Sequence, residues 1–358
     1  MATGLDRYYA LGRTGLKVSR LALGTMTFGT DWGWGADRET ARALFDAYVE
    51  AGGNLFDTAD MYTGGESERM LGAFIHERGL RDRAVIASKF AYGADPANPN
   101  AGGNGRKAMI RAVEGSLRRL GTDYLDLYLV HTWDRITPVD EVMRAFDDLV
   151  TAGKVLHVGL SDVPAWYAAR AQTLAELRGW TPLAALQLEY SLAERFIEHE
   201  FVPLGLAHGM GVMVWSPLAS GLLSGKYRPG EAGGGRLDQL ADSGNPAFAK
   251  FTERNWRIVA ELERVSRELG RSMAQVAVNW VADRPGVASV ILGATEPAQL
   301  GDTLDALSFE LPAEAAGRLD AVSAPERPFP YTFFGPEIQT VLHGGLDVAA
   351  KPPRYAAC

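Results

Sequence analysis

Eight short apolar runs, at 19–24, 54–57, 84–88, 125–130, 155–160, 184–188, 212–215 and 288–292, alternate with segments of helical spacing at 38–51, 66–78, 107–120, 138–152, 164–178, 195–208, 252–269 and 272–282. A strand that must pass through a helix before the next strand lies parallel to its neighbour, so the chain is committed to a parallel sheet, doubly wound or closed as a barrel. The punctuation agrees. Gly52, Gly79, Gly121, Gly153, Gly179, Gly209 and Gly270 each stand where a left-handed residue would end a helix. Pro138 behind Thr137 and Pro164 behind Asp162 predict first-turn prolines, and Ser272 with Gln275 predicts a capping box. Ahead of the alternation, Tyr8-Tyr9-Ala10-Leu11 and Leu16-Lys17-Val18 flank Gly12 to Gly15 as a hairpin would.

The connections are unequal. Helix-to-strand links such as Gly52-Gly53, Ala152-Gly153-Lys154 and Gly209-Met210-Gly211 are short, whereas strand-to-helix links run long at 25–37, 90–106 and 216–251. The elaboration therefore gathers past the carboxyl ends of the strands, where α/β architectures bind ligands. Gly233-Gly234-Gly235 predicts a flexible spot in the longest of these loops. From Ala324 onward, prolines at 325, 328, 330 and 336 and the pair Phe333-Phe334 show no periodicity, so 324–358 reads as an arm on a single domain spanning 1–358.

Composition narrows the partners. A net charge of -8 over 358 residues leaves no excess of Lys or Arg for phosphate neutralisation, which argues against nucleic acid and anionic membranes. Small molecules remain, and a homo-oligomer is left open. The lone cysteine, Cys358, excludes disulfides within the chain and thiolate metal clusters. With no apolar run of about 20 residues and no charged-then-apolar leader, a reducing cytoplasm is the expected address.

Reactive side chains fall just beyond three successive strands. In Asn54-Leu55-Phe56-Asp57-Thr58-Ala59-Asp60-Met61-Tyr62 an apolar strand ends in an acid and a phenol; Lys89 follows the next strand and His131 the one after. Each alone has a plain reading: a turn cap, a surface tyrosine, a snorkelling lysine, a core histidine. Their coincidence at one end of the sheet points to proton exchange with an oxygen. A neighbouring ammonium would lower the pKa of a phenol, Asp57 would hold Lys89 charged, and His131 would orient the substrate oxygen. Hydride is the companion of that proton, and no side chain supplies one, so a nicotinamide is required.

Asp57, Tyr62, Lys89 and His131 resemble the Asp-Tyr-Lys-His tetrad of the aldo-keto reductases, and so does their setting: Asp57-Thr58-Ala59, Ser67-Glu68 and Tyr124-Leu125-Asp126-Leu127-Tyr128-Leu129-Val130-His131. The resemblance runs from about Leu11 to Leu311. It implies a (β/α)8 TIM barrel with an N-terminal hairpin and long loops at the C-terminal face, interconverting an aldehyde or ketone and its alcohol with NADP(H), NAD(H) being the alternative. It also implies no Rossmann fingerprint; Gly103-Asn104-Gly105-Arg106 follows a Pro/Asn-rich loop and reads as turn chemistry.

What the resemblance implies for the cofactor is a set of segments. Gly24-Thr25-Met26 would lie beside the nicotinamide ribose, Ser161 and Gln187 would hold the carboxamide, and Trp215 would stack on the ring. Asp162 stands where most members have asparagine, and an aspartate cannot donate to the carboxamide oxygen. Ser216-Pro217-Leu218 with Gly221, Leu223 and Lys226 would close over the pyrophosphate, and Gly293, Thr295, Gln299 and Asp302 would meet the adenosine end. The basic residue expected near Thr295 or Gln299 for a 2'-phosphate is missing, and Thr303 replaces an asparagine, so NAD use or dual use is expected alongside NADP. Trp32, Trp34, Tyr92, Trp133 and Phe333 are the aromatic candidates for a substrate wall. Two other readings stand beside this one: a nicotinamide-sensing binding protein like the potassium-channel β subunits, set back because the sequence opens without their inactivating segment, and a hydrolase using Asp57 and Glu189.

Overall fold

Successive side chains of a strand point to opposite faces, and that alternation sorts this chain into two apolar sets. In a computed structural model, which describes residues 5–93, 95–230, 237–238, 244–245 and 248–348, Ala22, Leu55, Val85, Ala87, Leu127, Leu129, Ala185, Met213 and Ile291 form one buried cluster that includes no helical residue. Their neighbours of opposite parity, among them Leu23, Phe56, Ile86, Tyr128, Val158, Leu186, Val214 and Val290, pack with the helices in a second and larger cluster. One face of the sheet is thus wrapped around itself and the other is covered by helices.

The strands close into a parallel barrel. In ring order they are β3 (Leu21–Gly24), β4 (Leu55–Asp57), β5 (Val85–Phe90), β6 (Leu125–Val130), β7 (Val155–Ser161), β8 (Leu183–Glu189), β9 (Gly211–Trp215) and β10 (Val287–Leu292), which pairs back to β3. Every predicted strand is present to within a few residues. The expected hairpin is β1 (Tyr8–Ala10) paired antiparallel with β2 (Lys17–Ser19). Leu11 beside it and Val18 within β2 join the inner cluster, so the hairpin plugs the N-terminal end of the barrel.

Helices follow the strands in turn: α1 (Arg38–Glu50), α2 (Glu66–Glu77), α3 (Arg106–Leu120), α4 (Val139–Thr151), α5 (Ala165–Arg178), α6 (Phe201–His208), α7 (Glu253–Leu269), α8 (Met273–Ala282), α9 (Pro297–Leu304) and α10 (Ala313–Ser323). The glycines predicted to end helices all have positive φ, between 61° and 91°, and the Ser272/Gln275 capping box forms in full. Some details differ from expectation. Pro138 and Pro164 are the N-cap residues themselves, with extended ψ of 137° and 146°. The segment 195–208 splits into a 3-10 turn (Phe196–Glu198) and α6, because Pro203 fits only the first turn of the second piece. Helices α9 and α10 lie outside the predicted helical segments; both are short and carry a glycine, Gly301 and Gly317, in their interiors.

The chain divides into two compact units, Met1–Ser323 and Ala324–Cys358. The second contains a 3-10 turn at Tyr331–Phe334 and a seven-residue helix, α11 (Pro336–Leu342), where the sequence suggested no regular element. Gly233-Gly234-Gly235 and Cys358 lie outside the described residues. No helix among the described residues is long and apolar enough to cross a membrane.

Candidate active site

The parity that builds the inner cluster also selects what stands at its open end. Counting two residues at a time along the inward face leads to Gly24 on β3, Asp57 on β4, Lys89 on β5, His131 one step past β6, Ser161 on β7, Gln187 on β8, Trp215 on β9 and Gly293 just past β10. All eight strands therefore deliver a residue singled out in the sequence to the C-terminal mouth.

Three of these side chains, with Tyr62, form a connected set. Lys89 Nζ lies 2.6 Å from Asp57 Oδ2, 2.8 Å from the Thr58 carbonyl oxygen and 3.2 Å from the Tyr62 hydroxyl. Lys89 has no exposed surface, so it does not snorkel. Asp57 is fixed from the other side by Gln187, whose Nε2 donates to Oδ1 at 2.7 Å. The turn that brings Tyr62 over the lysine is left-handed at Thr63, Gly64 and Gly65, with φ of 47°, 62° and 87°. Thr63 is fastened there by its hydroxyl, which donates to the Phe28 carbonyl and accepts from Ser67 N–H.

The electrostatics correct one expectation. Burial pushes the Tyr62 phenol up; the Lys89 ammonium pulls it down without undoing this, and Asp57 and Asp162 push the same way as burial. The phenol therefore keeps its proton at neutral pH, because desolvation of a phenolate outweighs one ammonium already shared with a carboxylate. For Lys89 burial opposes the charge, and Asp57 and Tyr62 more than restore it, so its pKa is raised. Burial, and then Lys89, hold His131 well below the usual imidazole range. The ring is neutral, and its Nδ1 has no partner among the described residues.

Aromatic rings surround the phenol. The Tyr62 ring stands 5.7 Å from His131 and 6.3 Å from Trp32, Trp32 is 5.4 Å from Trp34, and Tyr92 is 5.0 Å from His131. Trp133 has a different company: it packs on Trp166 at 5.5 Å and Tyr167 at 6.1 Å, an aromatic group the sequence reading passed over. Phe333 belongs to the second unit.

The candidate cofactor residues sort by what they already do. Trp215 Nε1 donates to Asp162 Oδ1 at 3.2 Å, and Ser161 Oγ lies 3.4 Å from Asp162 Oδ2. Asp162 is left-handed, with φ 44°, a conformation that Asp and Asn tolerate better than other side chains. After Trp215 the backbone is left-handed at Ser216, Ala219, Ser220 and Gly221. Strain of this kind collects at functional sites; the N–H groups of Ala219, Ser220 and Gly221 are donated within the turn, to Ser216 O, Ser216 Oγ and Leu218 O. Pro217 and Leu223 are buried and Lys226 is exposed. By contrast, the Thr25 hydroxyl is used internally, against Asp57 O at 3.1 Å and Ser67 Oγ at 2.8 Å. Gly24 answers a packing need, since a Cβ there would come within 2.7 Å of Ile291; Met26 follows, partly exposed.

At the other end, Gln299 Oε1 accepts from Thr295 N–H at 3.1 Å, with the Thr295 hydroxyl at 3.3 Å. Asp302 accepts from Ser272 Oγ at 2.7 Å and Gln275 Nε2 at 3.0 Å, tying α9 to the start of α8. The Thr303 hydroxyl donates back into its own helix.

One ion pair was not legible in the sequence. Lys250, from the long loop after Trp215, lies 2.8 Å from Glu189 at the end of β8, and both are largely buried. Gln187 two residues earlier signals that Glu189 faces inward, but nothing marked Lys250. With Asp57 held by Lys89 and Glu189 by Lys250, the two carboxylates of the hydrolase reading are each engaged elsewhere.

Comparison with known proteins agrees with this geometry. Residues 20–324 match the model of the Aldo/keto reductase family. The chain is 37% identical to an uncharacterised oxidoreductase of Bacillus subtilis (strain 168), over 88% of this chain and 95% of that one. It is 36% identical to a probable voltage-gated potassium channel subunit beta of Oryza sativa subsp. japonica, over 90% and 98%. It is 33% identical to an NADP(+) aryl-alcohol dehydrogenase of Phanerodontia chrysosporium, over 93% and 89%. A barrel whose eight strands meet at one mouth, matched to the family along nearly all of its first unit, makes this chain a member of the aldo/keto reductase family.

Proposed function

We propose that the protein is an NAD(P)(H)-dependent oxidoreductase that interconverts an aldehyde or ketone and the matching alcohol, with Tyr62 exchanging the proton. The observation that carries this reading is the 3.2 Å contact between Lys89 Nζ and the Tyr62 hydroxyl, faced by the neutral ring of His131. In reduction the phenol is the acid, and its retained proton suits that direction at neutral pH. Lys89, kept charged by Asp57, stabilises the phenolate left behind. The imidazole donates to the carbonyl oxygen and orients it. In oxidation the same groups act in reverse.

The residues present suit a nicotinamide. Gln187 spends its N–H on Asp57 and keeps Oε1 to accept from a carboxamide, while Ser161 and Asp162 stand beside it. Trp215 offers a partly exposed ring anchored by Asp162, and the exposed Lys226 in the segment after Trp215 is the cation suited to a diphosphate. When bound, the nicotinamide supplies or accepts the hydride. The neutral Thr295 and Gln299 offer no charge to a 2'-phosphate, so NAD(H) or dual use stands alongside NADP(H). Trp32, Trp34 and Tyr92 are the wall we assign to the substrate.

The test is a fluorescence titration with NADPH and NADH, followed by a cofactor-coupled screen of aldehydes, ketones and secondary alcohols in both directions. Saturable binding with turnover supports the proposal, and absence of any binding sinks it. The relatives named as channel β subunits favour a second reading, a nicotinamide-binding protein without turnover. Binding with no activity across the panel would select that one.

A further inference from the structure

Asp162 is the one residue at the mouth whose chemistry disagrees with the site it stands in. A carboxamide offers one N–H pair to donate and one oxygen that must receive. On the protein side Gln187 Nε2 is committed to Asp57 at 2.7 Å, leaving its Oε1 as an acceptor for the N–H pair. The donors left for the carboxamide oxygen are the Ser161 hydroxyl and whatever Asp162 can provide. As a carboxylate Asp162 provides none, and it draws the Ser161 hydroxyl toward Oδ2 at 3.4 Å. Its Oδ1 is already the acceptor for Trp215 Nε1 at 3.2 Å, so Oδ2 is the atom that faces the problem.

Resting on the nicotinamide reading above, we propose that Asp162 takes up one proton from solvent at Oδ2 as the cofactor binds, becoming the hydroxyl donor that the carboxamide oxygen requires. Cofactor affinity then falls as pH rises. The residue stays a positioning group for the ring through Trp215 in either protonation state.

The surroundings support the uptake. Asp162 is open to water at the mouth although protein encloses its other sides, and this enclosure, opposed by the bonds from Trp215 and Ser161, raises the carboxyl to about 7. The charged and titratable groups that face it are Glu189 at the end of β8, which repels a second carboxylate; Lys89 on β5, already paired with Asp57; and the phenols of Tyr62 and Tyr92. Glu189 is itself paired with Lys250, and His131 on the adjoining strand is neutral. Lys89 is the cation that pulls on Asp162, and its charge is shared with Asp57. A ring laid over the mouth would remove the water that still solvates the carboxylate, pushing the equilibrium further toward the acid.

The experiment is a tryptophan-fluorescence titration with NADH and with NADPH from about pH 6 to about pH 9, on the native protein and on Asp162→Asn. Asparagine keeps the acceptor for Trp215 and tolerates the left-handed backbone. In the native protein the Kd should weaken by about tenfold per pH unit above about 7, as one-proton linkage demands. In Asp162→Asn it should be level and as tight as the native value at low pH. Comparing the two proteins cancels titration of the cofactor's own phosphates. Calorimetry of the native protein in buffers of different ionisation enthalpy should count about one proton taken up per cofactor near pH 8. A flat native profile with no proton uptake, or the same slope in both proteins, overturns the inference while leaving the nicotinamide reading standing. No binding in either protein at any pH overturns both.

Discussion

Lys89 Nζ and the Tyr62 hydroxyl are 3.2 Å apart, with neither group exposed enough to trade its partner for bulk water. On the proposed role of Tyr62, that ammonium stabilises the phenolate left when the phenol passes its proton to the substrate oxygen. We predict that Tyr62→Phe lowers kcat by ~10²–10⁴-fold while cofactor binding and thermal stability stay near native. The ring itself, packed against Trp32 and His131, is retained in that variant. Turnover within threefold of native, in order of magnitude, would remove Tyr62 from the reaction.

The buried Lys89–Asp57 pair separates stability from chemistry. Lys89→Met strands Asp57 with Gln187 as its remaining side-chain partner, and an uncompensated buried charge costs ~3–5 kcal/mol. Removing the carboxylate as well, in Asp57→Asn/Lys89→Met, is expected to restore much of that loss on denaturant unfolding. It should restore none of the turnover. Recovery of activity in the double variant would show that the ammonium is scaffolding only.

The pH profile follows from the directions of the shifts. On the proposed role of Tyr62, reduction uses the protonated phenol, whose pKa is raised above its ordinary value of about 10, so the active form dominates at all lower pH. At saturating cofactor, kcat for carbonyl reduction should stay level through neutral pH and fall only beyond about pH 10, while alcohol oxidation rises over the same alkaline range. His131, depressed by burial, adds no limb near the ordinary histidine value of about 6.5. A reduction rate that halves between about pH 6 and about pH 7, and no longer does so in His131→Asn, would contradict the neutral imidazole.

How much of this could be read beforehand depends on which interactions are local. The strands are written as short apolar runs between helical segments, so, whereas Trp215 entered through the family resemblance, Asp57, Lys89 and His131 could be placed at one end of the sheet from their positions after successive strands. The net direction of the Tyr62 shift could not, because it is a balance between a neighbour visible in the sequence and a desolvation visible only in the folded barrel. The same is true of Asp302, whose carboxylate is satisfied by Ser272 and Gln275 from a different helix. Lys250 sits in an aperiodic loop of 216–251, where spacing carries no information about what a side chain will meet.

Stability near the hairpin should hinge on one hydroxyl. Tyr48 OH is buried within hydrogen-bond distance of Ser19 Oγ at 2.8 Å, of the Leu21 and Leu55 carbonyls at 2.9 Å each, and of Leu55 N–H at 3.1 Å. It joins α1 to the first two strands of the barrel. Tyr48→Phe keeps the ring volume and leaves those groups short of a partner, at a cost of ~1–3 kcal/mol for an unsatisfied buried group. Denaturant titration reads this as a lower midpoint at unchanged slope, and an unchanged midpoint would mean that water replaces the hydroxyl.

Cofactor preference turns on a position that is neutral in this chain. Gln299 caps Thr295 through Oε1, and neither side chain carries the charge that would grip a 2'-phosphate. Gln299→Arg removes one modest cap and introduces a guanidinium in the first turn of α9, close to where the adenosine end is proposed to lie. A charge-assisted bond contributes about 1.5–3 kcal/mol, so the ratio of kcat/KM for NADPH over NADH should rise by roughly 10–100-fold. The cap lost at Thr295 acts on both cofactors alike and drops out of the ratio. The gain should shrink as salt is added, since an exposed arginine is screened within about 10 Å at 0.1 M. An unchanged ratio at low salt would mean that the adenosine end binds elsewhere, and that the neutral pair Thr295 and Gln299 says nothing about NAD against NADP.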